Sequence, residues 1–242
     1  MSKILVLYVF HEMNSRVEAF FKNCIFKDDN VDFIIISNGY NDNLDLPSYV
    51  KVIRRNNKGF DFGGWSEGLL RDGLYKKYDY FIFANSSIHG TYIPDYYKDN
   101  WTSIFINGLK EDEEIKLYGI TINTERDPLF RTHIQSYLFC MDKSTLEFLI
   151  NNEIFSLTNQ SENHIDCIEN KEILMSRLIL YNGWNIGTLL DYYKGVDFRF
   201  KEKQPHEYNI KFLSDIMYPT YVNILWNKYQ LVFIKGNRFG IN

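Results

Sequence analysis

The sequence predicts an α/β domain built on a mostly parallel central sheet flanked by helices. Three observations carry that expectation. Continuous β-branched and aromatic runs occur at residues 4–10, 33–36 and 80–83, the pattern of strands covered on both faces in a parallel sheet. The stretches between them have helical spacing, and the two kinds of segment alternate through short connections. No internal repeat and no low-complexity linker interrupts the pattern, so the 242 residues read as one domain. A chain of this length buries roughly 70 to 75% of its unfolded surface, which excludes a disordered tail protein.

Ile4-Leu-Val-Leu-Tyr-Val-Phe10 is expected to be the first central strand. Asn14 then caps a helix in which Val17, Phe20, Phe21 and Cys24 fall at i, i+3, i+4 and i+7, one apolar face. Residues 33–36 form a second strand ending in the turn chemistry of Ser37-Asn38-Gly39, and Val52-Ile53 a short third. A glycine-rich segment over residues 54–70 passes into a helix near Gly63. Residues 80–83 are the fourth strand, ending at Ala84-Asn85-Ser86-Ser87. The pattern then gives a helix over 101–109, strands over 115–122 and 137–139, and helices over 143–150 and 166–181. A polar, aromatic C-terminal region follows, with a last strand over 231–234.

Twenty-seven basic against 31 acidic side chains give a net charge of −4, with no block of like charges. Nothing here is built to neutralise a phosphate backbone, so nucleic acid is excluded as the main partner. Cys24, Cys140 and Cys167 are odd in number, scattered and without CxxC spacing. They suggest neither a disulfide framework nor a thiolate zinc site, and a reducing compartment fits best. Residues 4–10 are too short for a signal sequence, and no run of about 18 apolar residues follows. The expectation is a cytoplasmic protein without a transmembrane segment.

In open parallel sheets ligands bind beyond the carboxyl ends of the strands, and four such places carry unusual chemistry. In the first, Gly59, Gly63 and Gly64 let backbone approach a ligand, the next helix directs its N-terminal amides at an anion, and Asp61 is the single carboxylate between Gly59 and Gly64. Asp61 either caps the helix or accepts hydrogen bonds from a nucleotide's base or ribose. The spacing Asn57-x-Gly-x-Asp-x-Gly-Gly-x-x-x-Gly-Leu favours the second reading. Asn85-Ser86-Ser87 are ordinary turn formers or else face a bound sugar or diphosphate. His133 and Gln135 are polar residues just before an apolar run. Glu169 and Glu172 lie three apart on one helical face, and Glu172, followed by Ile173 and Leu174, is the better general-base candidate.

With these segments in order, the chain resembles a GT-A glycosyltransferase, and more narrowly the glycosyltransferases related to rhamnan synthesis protein F. The blocks that carry the resemblance are Asn57-Lys-Gly59-Phe-Asp61-Phe-Gly63-Gly64-Trp65 with Gly68-Leu69, and Phe83-Ala-Asn85-Ser86-Ser87-Ile-His-Gly90. His133-Ile-Gln135-Ser136 and Val232-Phe-Ile-Lys235-Gly-Asn237-Arg238 complete them. The resemblance implies a single Rossmann-like GT-A domain, with the donor part over about residues 1–125 and the acceptor part over about residues 126–242. It also implies that a mobile C-terminal segment closes over the donor. The helix around Glu172 and Gly183-Trp184 resembles the segment where such enzymes carry their base. One departure concerns metal: the usual Asp-x-Asp that binds manganese or magnesium after the fourth strand is replaced by Asn85-Ser86-Ser87. Charge on a leaving diphosphate then falls to a helix N-terminus and to cations. Of Arg54, Lys58, Arg126, Arg131, Lys235 and Arg238, the last two are favoured, from the place of the closing segment in the resemblance.

The expected function is transfer of a sugar, rhamnose or another hexose, from a nucleotide-sugar donor to a glycan or glycolipid hydroxyl. Asn57, Gly59, Asp61, Gly63, Gly64, Asn85, Ser86, Ser87, Lys235 and Arg238 would bind donor, His133 and Gln135 acceptor, and Glu172, with Glu169 beside it, would supply the base. An inverting displacement is the simplest chemistry with one base. The rival from another class is a non-catalytic nucleotide-sugar or carbohydrate-binding module. A sugar nucleotidyltransferase is disfavoured because His11-Glu12-Met13-Asn14 is no glycine-rich, basic phosphate loop.

Overall fold

The computed structural model describes residues 2–40, 43–124, 127–211, 220–221 and 224–236. Strand β1 (Ile4–Phe10) is buried from Leu5 onward. Helix α1 (Ser15–Asn23) begins where expected: the Asn14 side chain accepts the Arg16 and Val17 N–H groups, and Val17, Phe20 and Phe21 turn inward. Phe20 stacks on Tyr8 of β1 with ring centroids 3.9 Å apart. Strands β2 (Val31–Ser37) and β3 (Lys51–Arg54) continue the sheet in parallel.

Helix α2 (Phe60–Leu70) starts three residues before Gly63, the position expected to open it. Gly59, with φ +72, turns the chain into the helix. The helix lies so close to the sheet that a Cβ on Gly64 would sit 2.8 Å from Val9 Cγ2, and one on Gly68 2.8 Å from Leu7 Cδ2. Its Trp65 is fully buried, edge-on to Phe83 of β4 (Tyr80–Asn85).

After β5 (Ile88–Gly90) and α3 (Trp101–Lys110), the strand expected over 115–122 is broken. β6 (Ile115–Gly119) stays in the main sheet, whereas β7 (Ile122–Asn123) leaves it. Past α4 (Pro128–Arg131), β8 (His133–Ile134) pairs antiparallel with β7. β9 (Leu138–Asp142) is longer than the expected 137–139 and runs antiparallel between β4 and β6. Helix α5 (Lys143–Asn151) is capped by the Asp142 carboxylate, which accepts the Thr145 N–H.

The helix expected over 166–181 is continuous but irregular. A first turn, α6 (His164–Cys167), runs through a π-helical stretch at Ile168–Ile173 into α7 (Leu174–Tyr181). β10 (Asn185–Thr188), parallel to β6, completes a seven-stranded sheet of order β10-β6-β9-β4-β1-β2-β3. It is an α/β fold with a mostly parallel central sheet, as the sequence predicts.

Towards the chain end come the pair β11 (Thr220–Tyr221) and β12 (Ile224–Leu225), then α8 (Lys228–Leu231) and β13 (Phe233–Lys235). β13 begins two residues after the expected start because Leu231 closes α8. It pairs antiparallel with β5, and Phe233 is fully buried, 5.2 Å from Trp101 between ring centroids. Residues 231–234 are therefore part of the packed core and not a detachable flap. The three cysteines are buried free thiols. Among the described residues no helix is long and apolar enough to cross a membrane.

Candidate active site

Because β1, β2 and β4 run parallel, their carboxyl ends share one edge of the sheet. A cleft of about 190 Å³ opens there. Its walls come from His11 after β1, from the start of α2, from Ser86 after β4, from Ser136 before β9, and from α6 with the π-helical stretch.

The α2 entry is braced from beneath. Arg55, buried, donates from one guanidinium nitrogen to Asn38 Oδ1 (2.8 Å) and from the other to the Lys58 carbonyl (2.5 Å). Burial lowers the Arg55 pKa from its ordinary value. Asn38 Nδ2 in turn donates to the Phe60 carbonyl (3.0 Å) and to Asn57 Oδ1 (3.1 Å). Gly59 at φ +72 and Phe60 at φ +54 make the turn itself, and the second is an uncommon conformation for a bulky residue. Asn57, Phe60 and Asp61 thereby face the cleft. Gly63 and Gly64 are buried beneath it: a Cβ on Gly63 would overlap the Lys58 carbonyl, and one on Gly64 would meet Val9 and Asn38. The close backbone approach that these two glycines permit is to the protein's own chain.

Asp61 does not cap α2, whose N-cap is Gly59 without a side-chain hydrogen bond. Its Oδ2 accepts the Asn85 Nδ2–H at 2.8 Å. Asn85 Oδ1 accepts the Ser87 N–H at 2.9 Å, so the two bonds fix which way its amide points. Burial pushes the Asp61 carboxyl up to about 6, the Asn85 bond opposes that rise, and the Glu172 charge adds to it. Glu172 lines the same cleft, and its Oε1 accepts the Ser136 N–H at 2.7 Å. The structure thus brings Asn57, Asp61, Ser86 and Glu172 to one cavity, with Asn85 directly behind it.

The other expected site residues stand elsewhere. Glu169 is held by Arg131 through two bonds of 2.7 and 3.1 Å, which keep its carboxyl below the usual range. Buried His133 donates from Nδ1 to the Arg131 carbonyl (2.6 Å), and Gln135 Oε1 accepts the Thr121 hydroxyl (2.7 Å). None of these three lines the cleft. The Ser87 carbonyl accepts the Gly236 N–H, and Lys235 Nζ lies 5.7 Å from the Tyr137 ring centroid. Arg126 and Arg238 lie outside the described residues.

His11, Ser136, His164 and Cys167 line the cleft without having been singled out as site residues from sequence. Ser136 had a usable signal, since it belongs to the block His133-Ile-Gln135-Ser136. Among the described residues no group of three or more His, Cys, Asp or Glu side chains is placed to hold a metal ion.

Residues 33–232 match the profile of a family described as rhamnan synthesis protein F. No curated protein matches the chain.

Proposed function

The chain belongs to the rhamnan synthesis protein F family, and from that membership and the cleft we infer a glycosyltransferase of GT-A type. It moves a sugar from a nucleotide-sugar donor to a hydroxyl of a glycan or glycolipid during polysaccharide synthesis in the cytoplasm. The observation that carries the reading is the convergence of Asp61 and Glu172 on one cavity at the carboxyl edge of the sheet.

The cavity, at about 190 Å³, is smaller than the roughly 300 to 1,000 Å³ of sites for drug-sized ligands. A volume of that order suits the transferred sugar, with the nucleoside diphosphate extending past Ser86 and Ser87 toward Lys235. Asp61, oriented by Asn85, accepts hydrogen bonds from donor hydroxyls. Glu172, with one oxygen held by the Ser136 N–H, takes the proton from the acceptor hydroxyl as that oxygen attacks the anomeric carbon. The nucleoside diphosphate leaves from the opposite face, which inverts the centre. Rhamnose is the sugar that the family description favours.

The residues present do not fit a divalent cation. Hard cations need several oxygen ligands, whereas Asn85 directs an N–H at the one carboxylate beside it. No step is therefore assigned to a metal, and transfer is expected to proceed in chelator.

The test is turnover of a panel of UDP-, GDP-, dTDP- and CMP-sugars by the wild type and by Glu172→Gln. A general base contributes about 10²- to 10⁴-fold, so kcat should fall by about that factor while donor affinity is kept. Unchanged turnover removes Glu172 from this role. Donor binding with neither transfer nor donor hydrolysis in the wild type would identify a binding module instead.

A further inference from the structure

With the base at one end of the cleft, the strand register fixes what stands at the other. β9, β4 and β1 are successive neighbours in the sheet. Val9 of β1 is level with Asn85 of β4, and the Asn85 N–H donates to the Tyr137 carbonyl just before β9. Ser136, Ser86 and His11, the next residues outward or one beyond, therefore follow one another along the carboxyl edge, and all three line the cleft. Neighbouring strands lie about 4.7 to 4.9 Å apart, so Ser136 and His11 stand on the order of 10 Å apart with Ser86 between them. Glu172 is fixed at the Ser136 end by its 2.7 Å bond. In an in-line displacement the base and the leaving group occupy opposite sides of the sugar. A ring seated over Ser86, with Glu172 on one side, thus directs its leaving group toward His11.

That end needs positive charge, because the anion that develops on a leaving diphosphate is stabilised by donors already aimed at it. A divalent cation does not fit the residues at the strand ends, and among the described residues that line the cleft there is neither Lys nor Arg. The side chains there that can become cationic are His11 and His164. His164 belongs to α6, the helical wall that also carries Glu172, and meets Phe60 edge-on at 6.2 Å between ring centroids. His11 stands at the Ser86 side instead. Its Nδ1 lies 3.4 Å from the Asn38 carbonyl oxygen. A carbonyl only accepts, so Nδ1 carries hydrogen and Nε2 is the nitrogen that gains or loses a proton. Ser86 is held in place too, since its carbonyl accepts the Arg16 Nε–H at 3.1 Å from α1.

We propose that His11, as an imidazolium, is the cation that receives the leaving diphosphate, its Nε2–H donating to a phosphate oxygen next to the anomeric carbon. The electron pair of the broken carbon–oxygen bond goes to the diphosphate, the acceptor's proton goes to Glu172, and His11 keeps its own. A phosphate held there favours the charged imidazole. The titratable and charged groups around it are Asp61, His164, Cys167 and Glu172 in the same cleft, Arg55 behind Asn38 and Arg16 behind Ser86. That the anion is a leaving diphosphate rests on the transfer reading above. The place of the cation rests on the register and on the lining of the cleft.

The experiment is calorimetric titration of the full chain with UDP, GDP and dTDP in chelator, near pH 6 and near pH 9, for the wild type, His11→Gln and His164→Gln. Ratios of affinity between proteins cancel the titration of the ligand's own phosphate. Near pH 6 His11→Gln should bind about tenfold more weakly than the wild type or worse, the loss of one hydrogen bond to a charged group. Near pH 9, where an imidazole is neutral, the two should converge. His164→Gln should bind as the wild type does. His11 is exposed, so the melting temperature of His11→Gln should be unchanged. Equal affinities near pH 6 overturn the proposal, and so does a ratio that stays the same near pH 9, the mark of a contact without charge. A loss carried by His164→Gln instead also overturns it. Binding that depends on His11 and on pH, in a protein without transferase activity, would refute the transfer reading and leave the anion site standing. Normal transfer by His11→Gln would do the reverse, and a wild type that binds none of the three nucleotides refutes both.

Discussion

At Asp61 burial and hydrogen bonding pull the carboxyl in opposite directions, and burial prevails, raising it from 3.8 to about 6. Because the folded state binds this proton more tightly than the unfolded chain, the stabilisation is full below about pH 4 and is lost as pH rises through about 6. Asp61→Asn keeps an oxygen for the Asn85 N–H to reach and removes the buried charge. It is expected to be more stable than the wild type above pH 6, by at most about 3 kcal/mol, the equivalent of two pKa units. Melting temperatures between pH 4 and 7 should converge at the acid end, and activity should be lost at every pH. A variant less stable at pH 7 than the wild type would contradict this. Asp61, Asn85 and Glu172 were legible in the sequence because each sits where the strand pattern places a carboxyl end or a neighbouring helix. Arg55 was not: beside Arg54, nothing in the sequence says which guanidinium turns inward to brace the loop. His164 and Cys167 escaped for a similar reason, since their exposure to the cleft follows from how α6 leans over α2.

Helix α2 shows two element-scale effects with opposite signs. Replacing a mid-helix glycine by alanine gains about 1 kcal/mol in helix propensity. At Gly68, however, the added Cβ would lie 2.8 Å from Leu7 Cδ2 and 3.2 Å from Ile36 Cδ1, and overpacking a core costs about 1 to 3 kcal/mol. Gly68→Ala is expected to lose stability on balance, by about 1 kcal/mol, read as a lower urea midpoint at constant slope. A higher midpoint would mean that the helix can lift off β1 and β2 without penalty. The strands of unbroken apolar sequence were all legible. β10 was not, because Asn185-Ile186-Gly187-Thr188 has a single large apolar residue and is a strand only through pairing with β6. The break between β6 and β7 was hidden for the converse reason, since residues 115–122 read as one run until the chain has to leave the sheet. The π-helical stretch at Ile168–Ile173 was equally silent in the sequence. In it, buried Lys171 donates to the Glu153 and Asn159 carbonyls (2.5 and 2.9 Å), while the next residue, Glu172, faces the cleft.

On the scale of the whole molecule, a mostly parallel sheet followed from alternating segments, but its one antiparallel member did not. β9 lies between β4 and β6, antiparallel to both: among the described residues only the short α4 and the β7–β8 pair separate it from β6, too little for the crossover that a parallel neighbour needs. The C-terminal strand ties the chain end to β5, directly after the cleft residue Ser86. Phe233→Ala therefore removes a fully buried ring packed on Trp101 and Phe105. It should cost about 3 to 5 kcal/mol in denaturant unfolding, whereas a segment that merely closes over substrate would show almost none of that loss. The Asn85 amide, fixed by its two bonds, also limits what can stand at that position. Exchanging its nitrogen for oxygen would leave two carboxyls at hydrogen-bond distance, able to coexist only by sharing a proton or recruiting a counter-ion. Asparagine at position 85 therefore lets Asp61 sit there with neither a shared proton nor a bound cation, and Asn85→Asp would introduce one or the other.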